Sequence, residues 1–530
     1  MTTTFDYDWL VIGSGFGGSV SALRLAEKGY TVAVLERGRR FGDKDLPTSA
    51  WQLRRYLWSP KLGFKGLWNV TFFKDLTVLS GASVGGGSNN YAATLYRAPR
   101  AYFQHPQWCQ LDDWESRLAP HYDTAERMLG ASTLPFEGPA DSLMKELAEH
   151  LGCAGTFRSP KVGVYFGEPG QNVPDPYFGG EGPPRSGCTR CGSCMMGCTV
   201  GAKNTLPRNY LWLAERRGAR ILPEHAVTDV RPIGAADGSD GYIVSISRSG
   251  PWRGRYRQEL RAKGVVFAGG ALGTNELLAA CKRRGSLPHV SSMLGKLVRT
   301  NSETILAVTL PDDSRKVWNT VSITGSIFPD ADTHIEFGTF GRRSDAMAML
   351  FGLLTGPGNR LTRPFKAIGA ILRHPLWFAQ KLWPFGWSQR TILVGCMQTL
   401  DNAISFRAVP RLLGDGVRLQ TEPDPERPLP TYFPVAQQAA EWLAARLGGM
   451  PQSFLPEAVL NRPTTAHILG GVVIGAGAET AVVNSRHEVF GYRNLLVCDG
   501  SVIPANPGVN PSLTITAMAE NAMGYVCASS

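Results

Sequence analysis

The fold is decided by residues 9–36, which read WLVIGSGFGGSVSALRLAEKGYTVAVLE. A short apolar run ends in a glycine-rich turn at residues 13–18. A helical pattern follows over residues 19–28, Gly29 ends it, and a second apolar run leads to Glu36. Two such runs separated by a helical pattern predict a strand, a helix and a second, parallel strand.

The glycine-rich turn has the spacing G-x-G-x-x-G, with Gly13, Gly15 and Gly18 at the fixed positions. The first glycine permits a tight turn, the second lets a pyrophosphate approach the backbone, and the third lets helix and strand pack closely. Glu36 stands close to the spacing of about 20 residues at which an acidic side chain binds the ribose hydroxyls. The alternative is a glycine-rich turn without a ligand. The motif therefore predicts a dinucleotide site but does not distinguish FAD from NAD.

Three further loops favour FAD. Residues 81–90, GASVGGGSNN, form a second glycine-rich loop that a single nicotinamide site does not need. Residues 268–274, AGGALGT, and 499–501, DGS, each follow a strand-like apolar run. Because ligands of such folds bind outside the carboxyl ends of parallel strands, the loops suit one long cofactor along that edge.

The composition is that of a large globular protein. The chain has 530 residues, of which 43% are hydrophobic, and at about 150 residues per domain this length corresponds to three or four domains. The formal net charge of +11 is spread along the chain and no recognition motif accompanies it, so no nucleic-acid partner is predicted. The first residues lack a signal-peptide pattern and no apolar run is long enough to span a membrane, so a cytoplasmic location is expected.

Taken together, these motifs resemble those of the glucose-methanol-choline (GMC) oxidoreductases, which are FAD enzymes, and within them the cholesterol-oxidase-like branch. The matching segments are residues 13–18 with Glu36, 81–91, 265–274, 465–471, 499–501 and 508–515. The resemblance implies that FAD contacts a set of glycine-rich and polar residues: Gly13, Gly15, Phe16, Gly17, Gly18, Glu36, Gly81, Gly85, Gly86, Ser88, Asn89, Asn90, Val227, Ala268, Gly269, Asp499, Gly500, Asn510 and Pro511.

The same resemblance implies an α/β (α+β) fold, in which a Rossmann-like FAD-binding domain is built discontinuously and an antiparallel-sheet domain binds the substrate. The expected segments are residues 1–100 for the first FAD-binding part, 101–187 for a helical and loop insertion over the active site, 188–300 for the cysteine-rich loop and the second FAD-binding part, 301–460 for the antiparallel sheet, and 461–530 for the third FAD-binding part with the catalytic residues.

The resemblance points to His467 and Asn510 as the catalytic pair. Oxidation of an alcohol removes a hydroxyl proton as a hydride leaves the same carbon, and histidine suits that proton transfer because it titrates near neutrality. The alternative for His467 is a hydrogen-bonded core histidine. Steroid oxidases of the family that also isomerise a double bond carry a glutamate in a strand ahead of the histidine. Residues 390–393 correspond to that strand and contain no glutamate. Glu336 lies upstream, and the sequence does not place it. Isomerisation is therefore not predicted.

Four cysteines lie within eleven positions, as Cys188, Cys191, Cys194 and Cys198. This spacing is typical of a loop that binds an iron–sulfur cluster, either [4Fe-4S] or [3Fe-4S]. Tetrahedral zinc or four metal-free thiols are the alternatives. A cluster would take single electrons from reduced flavin, and an external acceptor would then replace dioxygen.

Two stretches combine basic and aromatic residues, residues 51–73 and 363–387. Such mixtures suit peripheral contact with an anionic membrane, an apolar lid over a lipophilic site, or ordinary core packing with solvated bases.

The leading functional hypothesis is oxidation of a hydrophobic alcohol, with sterols as one candidate, by hydride transfer to flavin N5. The electrons then pass to a protein, a quinone or dioxygen. The alternatives are a flavin-dependent reductase of an enone and a flavin/iron–sulfur subunit that only transfers electrons.

Overall fold

The computed structural model describes residues 4–250, 257–411 and 416–529. Its first layer is a seven-stranded sheet, here called the nucleotide sheet. The strands lie in the spatial order Arg220–Pro223, Val32–Glu36, Tyr7–Ile12, Arg257–Phe267, Tyr242–Arg248 and His225–Pro232, with Leu495–Val497 also paired to Arg257–Phe267.

The strand Arg257–Phe267 joins three parts of the chain. Its first half pairs antiparallel with Tyr242–Arg248, and its second half pairs in parallel with both Tyr7–Ile12 and Leu495–Val497. The parts of these strands that pair in parallel, residues 9–12, 264–267 and 495–497, are mostly apolar and buried, as expected for parallel strands covered on both faces. Helices Phe16–Glu27 and Ser512–Gly524 pack against each other beside the sheet, so both ends of the chain build one layer.

The second layer is a six-stranded antiparallel sheet. Its spatial order is Ile323–Ile327, Thr333–Thr339, Thr391–Gln398, Thr304–Thr309, Met450–Phe454 and Phe351–Leu353. Helices Asp141–His150 and Pro434–Leu447 contribute apolar side chains to its core.

Smaller sheets connect the two layers. A four-stranded antiparallel sheet contains Val417–Pro423, Ile404–Pro410, Val298–Arg299 and Leu469–Gly470, and a three-stranded sheet contains Thr464–Thr465, Thr77–Gly81 and Trp68–Phe72. Three pairs of short strands are Arg185–Ser186 with Asn172–Val173, Trp58–Ser59 with Phe64–Lys65, and Thr94–Leu95 with Lys161–Val162.

The remaining α-helices are Leu53–Tyr56, Arg100–Phe103, Trp114–Met128, Tyr210–Arg216, Gly270–Arg284, Thr362–Arg373, Pro375–Leu382 and Leu455–Leu460. Short 3-10 helices are Asp43–Asp45, Pro60–Leu62, Gly86–Asn89, Ala154–Thr156, Leu206–Arg208, Asp345–Leu350 and Gly500–Val502. Across the described ranges, none of the helices combines the length and the apolar character needed to cross a bilayer.

The predicted fold class is confirmed, because a Rossmann-like sheet and an antiparallel sheet are both present. The nucleotide sheet takes its strands from residues 7–36, 220–267 and 495–497, whereas the antiparallel sheet lies between residues 304 and 454. The first helix begins at Phe16, immediately after Gly15 as the N-cap, and not at Ser19 as the apolar pattern predicts.

Candidate active site

The first glycine-rich turn fits a bound dinucleotide. A Cβ atom at Gly17 would lie 1.8 Å from the Cys498 carbonyl oxygen, and one at Gly18 would lie 2.1 Å from the Gly13 carbonyl oxygen. The backbone therefore packs too closely there for any side chain. A Cβ atom at Gly15 would meet no protein atom within 4 Å, so this glycine faces open space at the helix N-terminus. That arrangement leaves room for a pyrophosphate where the helix end favours negative charge.

Glu36 lies at the end of its strand and is buried. Its Oε2 atom accepts hydrogen bonds from the Ser14 backbone N–H (3.1 Å) and hydroxyl (2.7 Å), and its Oε1 atom accepts from the Gly38 N–H (2.7 Å). Glu36 thus holds the glycine-rich turn in place. Each carboxylate oxygen can accept more than one hydrogen bond, so the ribose-binding role stays a prediction.

The second glycine-rich loop adjoins the first. The Gly85 N–H donates to the Ser14 hydroxyl (3.0 Å), and a Cβ atom at Gly86 would lie 2.9 Å from the Gly15 Cα. Phe16 contacts the edge of Tyr91, with ring centroids 5.5 Å apart. The loop is therefore positioned beside the proposed pyrophosphate site.

The polar residues of this loop serve its internal structure. The Ser88 hydroxyl donates to the Gly85 carbonyl oxygen (2.7 Å), and Asn89 Nδ2 donates to the Ser83 hydroxyl (2.8 Å). A Cβ atom at Gly81 would lie 2.9 Å from Asn90 Oδ1, so the asparagine covers that glycine. Ser88 and Asn89 position the loop backbone, while direct contact of any of these residues with FAD stays a prediction.

Asp499 ties the two other predicted loops together. Its Oδ2 atom accepts hydrogen bonds from the Gly270 N–H (2.8 Å) and the Thr274 hydroxyl (2.5 Å), and its Oδ1 atom accepts from the Ser501 N–H (2.8 Å). A Cβ atom at Gly13 would lie 2.3 Å from the Ala268 carbonyl oxygen. The loops beginning at Ala268 and Asp499 therefore lie along the same edge of the nucleotide sheet as the first glycine-rich turn.

The other predicted FAD-binding residues occupy varied positions. Val227 lies in an antiparallel strand of the nucleotide sheet and is partly buried, at an irregularity of the pairing. Gly269 caps helix Gly270–Arg284, Gly500 begins a 3-10 helix, and Pro511 caps helix Ser512–Gly524. Their contacts with FAD stay predictions.

His467 is paired with a glutamate that the sequence analysis missed. Its Nδ1 atom lies 2.5 Å from Glu303 Oε2, and its backbone N–H donates to Glu303 Oε1 (3.2 Å). Glu303 is buried. Burial by itself lowers the pKa of His467, but the charge and hydrogen bond of Glu303 outweigh it and raise the pKa above the ordinary value. With its proton on Nδ1 toward Glu303, the ring has Nε2 as an acceptor.

Asn510 is paired with Glu336. Its Nδ2 atom donates to Glu336 Oε1 at 3.3 Å, and both side chains are buried. Among the described residues, Asn510 Oδ1 and Glu336 Oε2 lack a hydrogen-bond partner. Because buried polar atoms are usually paired, these two oxygens indicate a binding site for a polar group.

Glu336, the hydrogen-bond partner of Asn510, is a second carboxyl group at the site and can transfer a proton. It stands opposite Gly395 in the adjacent strand of the antiparallel sheet. Burial raises its pKa to about 7, while its hydrogen bond with Asn510 and the charge of His467 lower it. The structure therefore brings a carboxylate to the site although residues 390–393 hold none. Glu336, which the sequence does not place, lies beside Asn510, so the reason for not predicting isomerisation no longer holds.

Residues 301–303 bind both of the loops that carry the predicted catalytic residues. Asn301 Nδ2 donates to the Val509 carbonyl oxygen (3.1 Å), and Asn301 Oδ1 accepts from the Gly508 N–H (2.8 Å). Two residues later, Glu303 binds His467. Asn301 has a φ of +59°, in the left-handed region that asparagine adopts more readily than most other residues. The start of strand Thr304–Thr309 thus positions the loop before Asn510 and the loop of His467.

The cysteine-rich loop does not form the predicted metal centre. Across residues 4–250, 257–411 and 416–529, no group of three or more His, Cys, Asp or Glu side chains is arranged to hold a metal ion. Cys188, Cys194 and Cys198 pack against an apolar cluster, whereas Cys191 is exposed. Burial raises the pKa of Cys188 to about 12, which favours the thiol over the thiolate that binds metal. The iron–sulfur and zinc predictions are therefore not supported.

Comparisons with known proteins agree with this geometry. Models of the GMC oxidoreductase family match residues 184–284 and 428–519, and that of the NAD(P)-binding Rossmann-like domain matches residues 11–43. A cholesterol oxidase of Acinetobacter baumannii is 42% identical, covering 98% of this chain and 94% of the relative. A cholesterol oxidase of Mycobacterium tuberculosis is 45% identical, covering 98% of this chain and 90% of the relative.

Solved structures share the fold at lower identity. Pyridoxine 4-oxidase from Mesorbium loti superposes with a TM-score of 0.61 at 15% identity, over 98% of each chain. A fungal aryl-alcohol oxidase gives a TM-score of 0.59 at 14% identity, over 98% of this chain and 99% of the other.

The chain belongs to the GMC oxidoreductase family. Two of its relatives, both more than 40% identical over nearly the full chain, are named cholesterol oxidases. The protein is an FAD-dependent enzyme that oxidises alcohols.

Proposed function

We propose that this enzyme oxidises the ring hydroxyl of a sterol or a similar hydrophobic alcohol, with dioxygen as electron acceptor. The overall reaction converts one secondary alcohol and one dioxygen to one ketone and one hydrogen peroxide. The observation that carries the proposal is the pairing of His467 with Glu303 and of Asn510 with Glu336. The names of two similar proteins, both cholesterol oxidases, support the choice of substrate and acceptor.

His467 is proposed to take the hydroxyl proton. Glu303 orients the imidazole through Nδ1, so that Nε2 accepts the proton of the substrate, and the carboxylate stabilises the imidazolium that results. When bound, FAD supplies the acceptor for the hydride that leaves the same carbon. Gly13, Gly15 and Gly18 would hold its pyrophosphate, and Glu36 its ribose.

Asn510 and Glu336 are proposed to act on the substrate beside His467. Asn510 donates to Glu336 and keeps Oδ1 available, so it can orient a polar group. Glu336 can act as a proton shuttle near neutral pH, because its pKa is raised to about 7. For a sterol with a double bond two carbons from the new carbonyl, Glu336 would move a proton from the intervening carbon to the far alkene carbon. The double bond would then be conjugated with the carbonyl.

A comparison of three variants tests the proposal with the FAD-loaded enzyme and a 3β-hydroxysterol. Anaerobic flavin reduction in wild type should be fast, and in His467→Ala slower by roughly a hundredfold or more. Glu336→Gln should oxidise the sterol but leave the double bond unconjugated, which NMR of the product detects. A flavin that the sterol does not reduce in wild type would contradict the substrate assignment.

The acceptor is tested in air. One dioxygen consumed and one hydrogen peroxide formed per ketone would support the oxidase reaction. If the reduced flavin persisted in air and a quinone reoxidised it, the assignment of dioxygen would be wrong. Reduction of an enone by the enzyme, with no bleaching by alcohols, would favour the reductase alternative.

A further inference from the structure

Helix Thr362–Arg373 turns an apolar stripe toward solvent. Leu361, Phe365, Ile368 and Leu372 follow the helical spacing i, i+4, i+7 and i+11, and their exposed fractions are 79%, 75%, 54% and 75%. The opposite side of the helix buries Arg363 and Ala370. A surface helix of a globular protein normally places its apolar stripe on the core. This helix is therefore built to contact something outside the chain.

The apolar surface continues beyond this helix. Exposed apolar residues on helix Pro375–Leu382 and the following loop are Leu376, Leu382, Trp383 and Phe385. Phe385 stacks with Trp51 at 6.3 Å between ring centroids, so residues 51–53 join the same surface. We call this surface the apolar face; it consists of Leu361, Phe365, Ile368, Leu372, Leu376, Leu382, Trp383, Phe385, Trp51 and Leu53.

The segments that form the apolar face contain no acidic residue. Residues 46–74 and 346–390 have no Asp or Glu, and they contain eleven basic residues: Arg54, Arg55, Lys61, Lys65, Lys74, Arg360, Arg363, Lys366, Arg373, Lys381 and Arg390. Lys366 and Arg373 are exposed beside the stripe of helix Thr362–Arg373, and Arg54 and Arg55 are exposed beside Trp51. An apolar helix face bordered by bases is typical of a segment that lies in a membrane interface.

We propose that the apolar face docks on an anionic lipid bilayer, with the apolar side chains in the interface and the bases at lipid headgroups. Charge complementarity favours this occupant over a second copy of the chain, because a symmetric dimer through this face would set bases against bases. A helix that lies in the membrane interface does not need the length that crosses a bilayer. Docking of this kind is therefore compatible with the described residues, whose helices are too short or too polar to span a membrane.

The apolar face also leads toward His467. A buried cluster that includes Trp387, Phe351 and Leu393 is in contact with Ile305 and Ala466. Ala466 precedes His467, and Lys381 lies 5.6 Å from the centre of the Trp387 ring. The Lys381 side chain therefore joins helix Pro375–Leu382 to this apolar cluster, and the cluster reaches the residue before the proposed base. This part of the inference rests on the proposed function: an alcohol dissolved in the bilayer would enter along these side chains.

Co-sedimentation of the FAD-loaded protein with vesicles tests the docking without substrate. Wild type should bind vesicles of phosphatidylglycerol and phosphatidylcholine (about 30:70), and 0.5 M NaCl should weaken the binding because salt screens charges. Lys366→Glu/Arg373→Glu should lower the partition coefficient roughly 30-fold or more, since each base near the surface contributes about 1 kcal/mol. Phe365→Ser/Leu372→Ser should also lower it at least about tenfold.

Matched controls are Arg220→Glu and Leu400→Ser, which change an exposed base and an exposed leucine outside the apolar face. Both should bind vesicles as wild type does. Absence of wild-type binding, equal binding of all variants, or a dimer that Phe365→Ser/Leu372→Ser dissociates in ultracentrifugation would each overturn the docking.

The same variants separate docking from catalysis. With a sterol in detergent micelles, Lys366→Glu/Arg373→Glu should keep the wild-type rate, whereas with the sterol in anionic vesicles its rate should fall as its binding falls. If the wild type binds vesicles but oxidises no sterol, docking stands and the proposed function fails. If the vesicle rate is unaffected while binding is lost, the entry route is wrong.

Discussion

The two proposed catalytic residues each depend on a carboxylate at the antiparallel sheet. Glu303 fixes the imidazole of His467 and Glu336 accepts from Asn510. Glu303 is hydrogen-bonded to the histidine, whereas Glu336 has a raised pKa. Two acids in different environments can take different roles in one site.

The first prediction concerns Glu303→Gln. Loss of the carboxylate should lower the pKa of His467, because the negative charge that stabilises the imidazolium is gone. If neutral His467 is the base, flavin reduction falls as the pH drops through that pKa. The acid limb of the pH profile should therefore move to lower pH in the variant.

Anaerobic stopped-flow reduction over a pH series measures this shift, with Glu336→Gln as the matched control. That variant also removes a nearby carboxylate, but one that does not bind the imidazole, so its acid limb should move less. An acid limb at the wild-type position in Glu303→Gln would exclude the proposed pairing as the origin of the profile.

At the residue scale, the sequence predicted His467 and Asn510 but not their partners. The two residues stand in motifs of contiguous sequence that the family resemblance covers. Glu303 lies 164 positions before His467, and Glu336 lies 174 before Asn510. Such contacts depend on which strands pair, and a single sequence does not state the pairing.

The first strand, turn and helix form an element in which two glycines have different surroundings. Gly17 packs against the Cys498 carbonyl, whereas Gly15 faces open space. Gly15 also has a φ of −70°, which alanine adopts readily. The two positions therefore separate packing of the element from binding of the cofactor.

The second prediction compares Gly17→Ala with Gly15→Ala. Gly17→Ala should destabilise the protein by about 1–3 kcal/mol or more, because its Cβ would overlap backbone. Gly15→Ala should keep the wild-type melting temperature without FAD but bind FAD about tenfold more weakly, a loss of about 1.4 kcal/mol. Thermal melting and titration with FAD measure both. Equal FAD affinity in Gly15→Ala and wild type would show that the pyrophosphate does not approach this glycine.

The cysteine-rich loop shows where an element cannot be predicted from spacing. Short spacings let thiols converge, but they do not require it. The Cys188 N–H donates to the Tyr165 carbonyl (3.0 Å), and the Gly192 N–H donates to the Thr320 carbonyl (2.7 Å). The loop is thus attached to two distant segments, and that attachment sets where each thiol lies.

At the scale of the whole molecule, the sheets meet around a buried acid, Glu457. The Thr304 hydroxyl donates to its Oε2 (2.7 Å) and the Thr464 N–H donates to its Oε1 (3.1 Å). Thr304 begins a strand of the six-stranded sheet, and Thr464 belongs to the three-stranded sheet. Burial raises the pKa of Glu457 to about 8.

The third prediction follows from that pKa. The folded protein keeps the Glu457 proton over a pH range in which the unfolded chain, with an ordinary glutamate pKa near 4.5, has lost it. Folding therefore becomes less favourable as the pH rises from about 5 to about 8. The glutamine of Glu457→Gln has nearly the shape of the protonated glutamate and does not titrate. The melting temperature of this variant should therefore fall less over this range and exceed that of wild type at about pH 8.

Scanning calorimetry of the FAD-loaded protein at several pH values measures the effect. Glu422→Gln, a change at an acid on an exposed strand end with an ion pair to Arg407, is the matched control and should follow wild type. Parallel curves for Glu457→Gln and wild type would mean that Glu457 is ionised in the folded protein.

The overall architecture was largely predictable. The first 36 residues and the apolar run before Asp499 have the pattern of buried parallel strands, and the family resemblance implies the antiparallel sheet within residues 301–460. The order of strands was not predictable in the same way. It depends on residues 257–267, whose two halves pair with different partners.

That double pairing has a consequence during protein synthesis. The strand Leu495–Val497 and helix Ser512–Gly524 complete a layer that Tyr7–Ile12 begins. A ribosome must therefore translate nearly five hundred residues before the sheet that contains the first strand receives its last strand. Until then the nascent amino-terminal hydrophobic segments lack part of their cover, so this polypeptide should depend on chaperones for longer than a protein with contiguous domains.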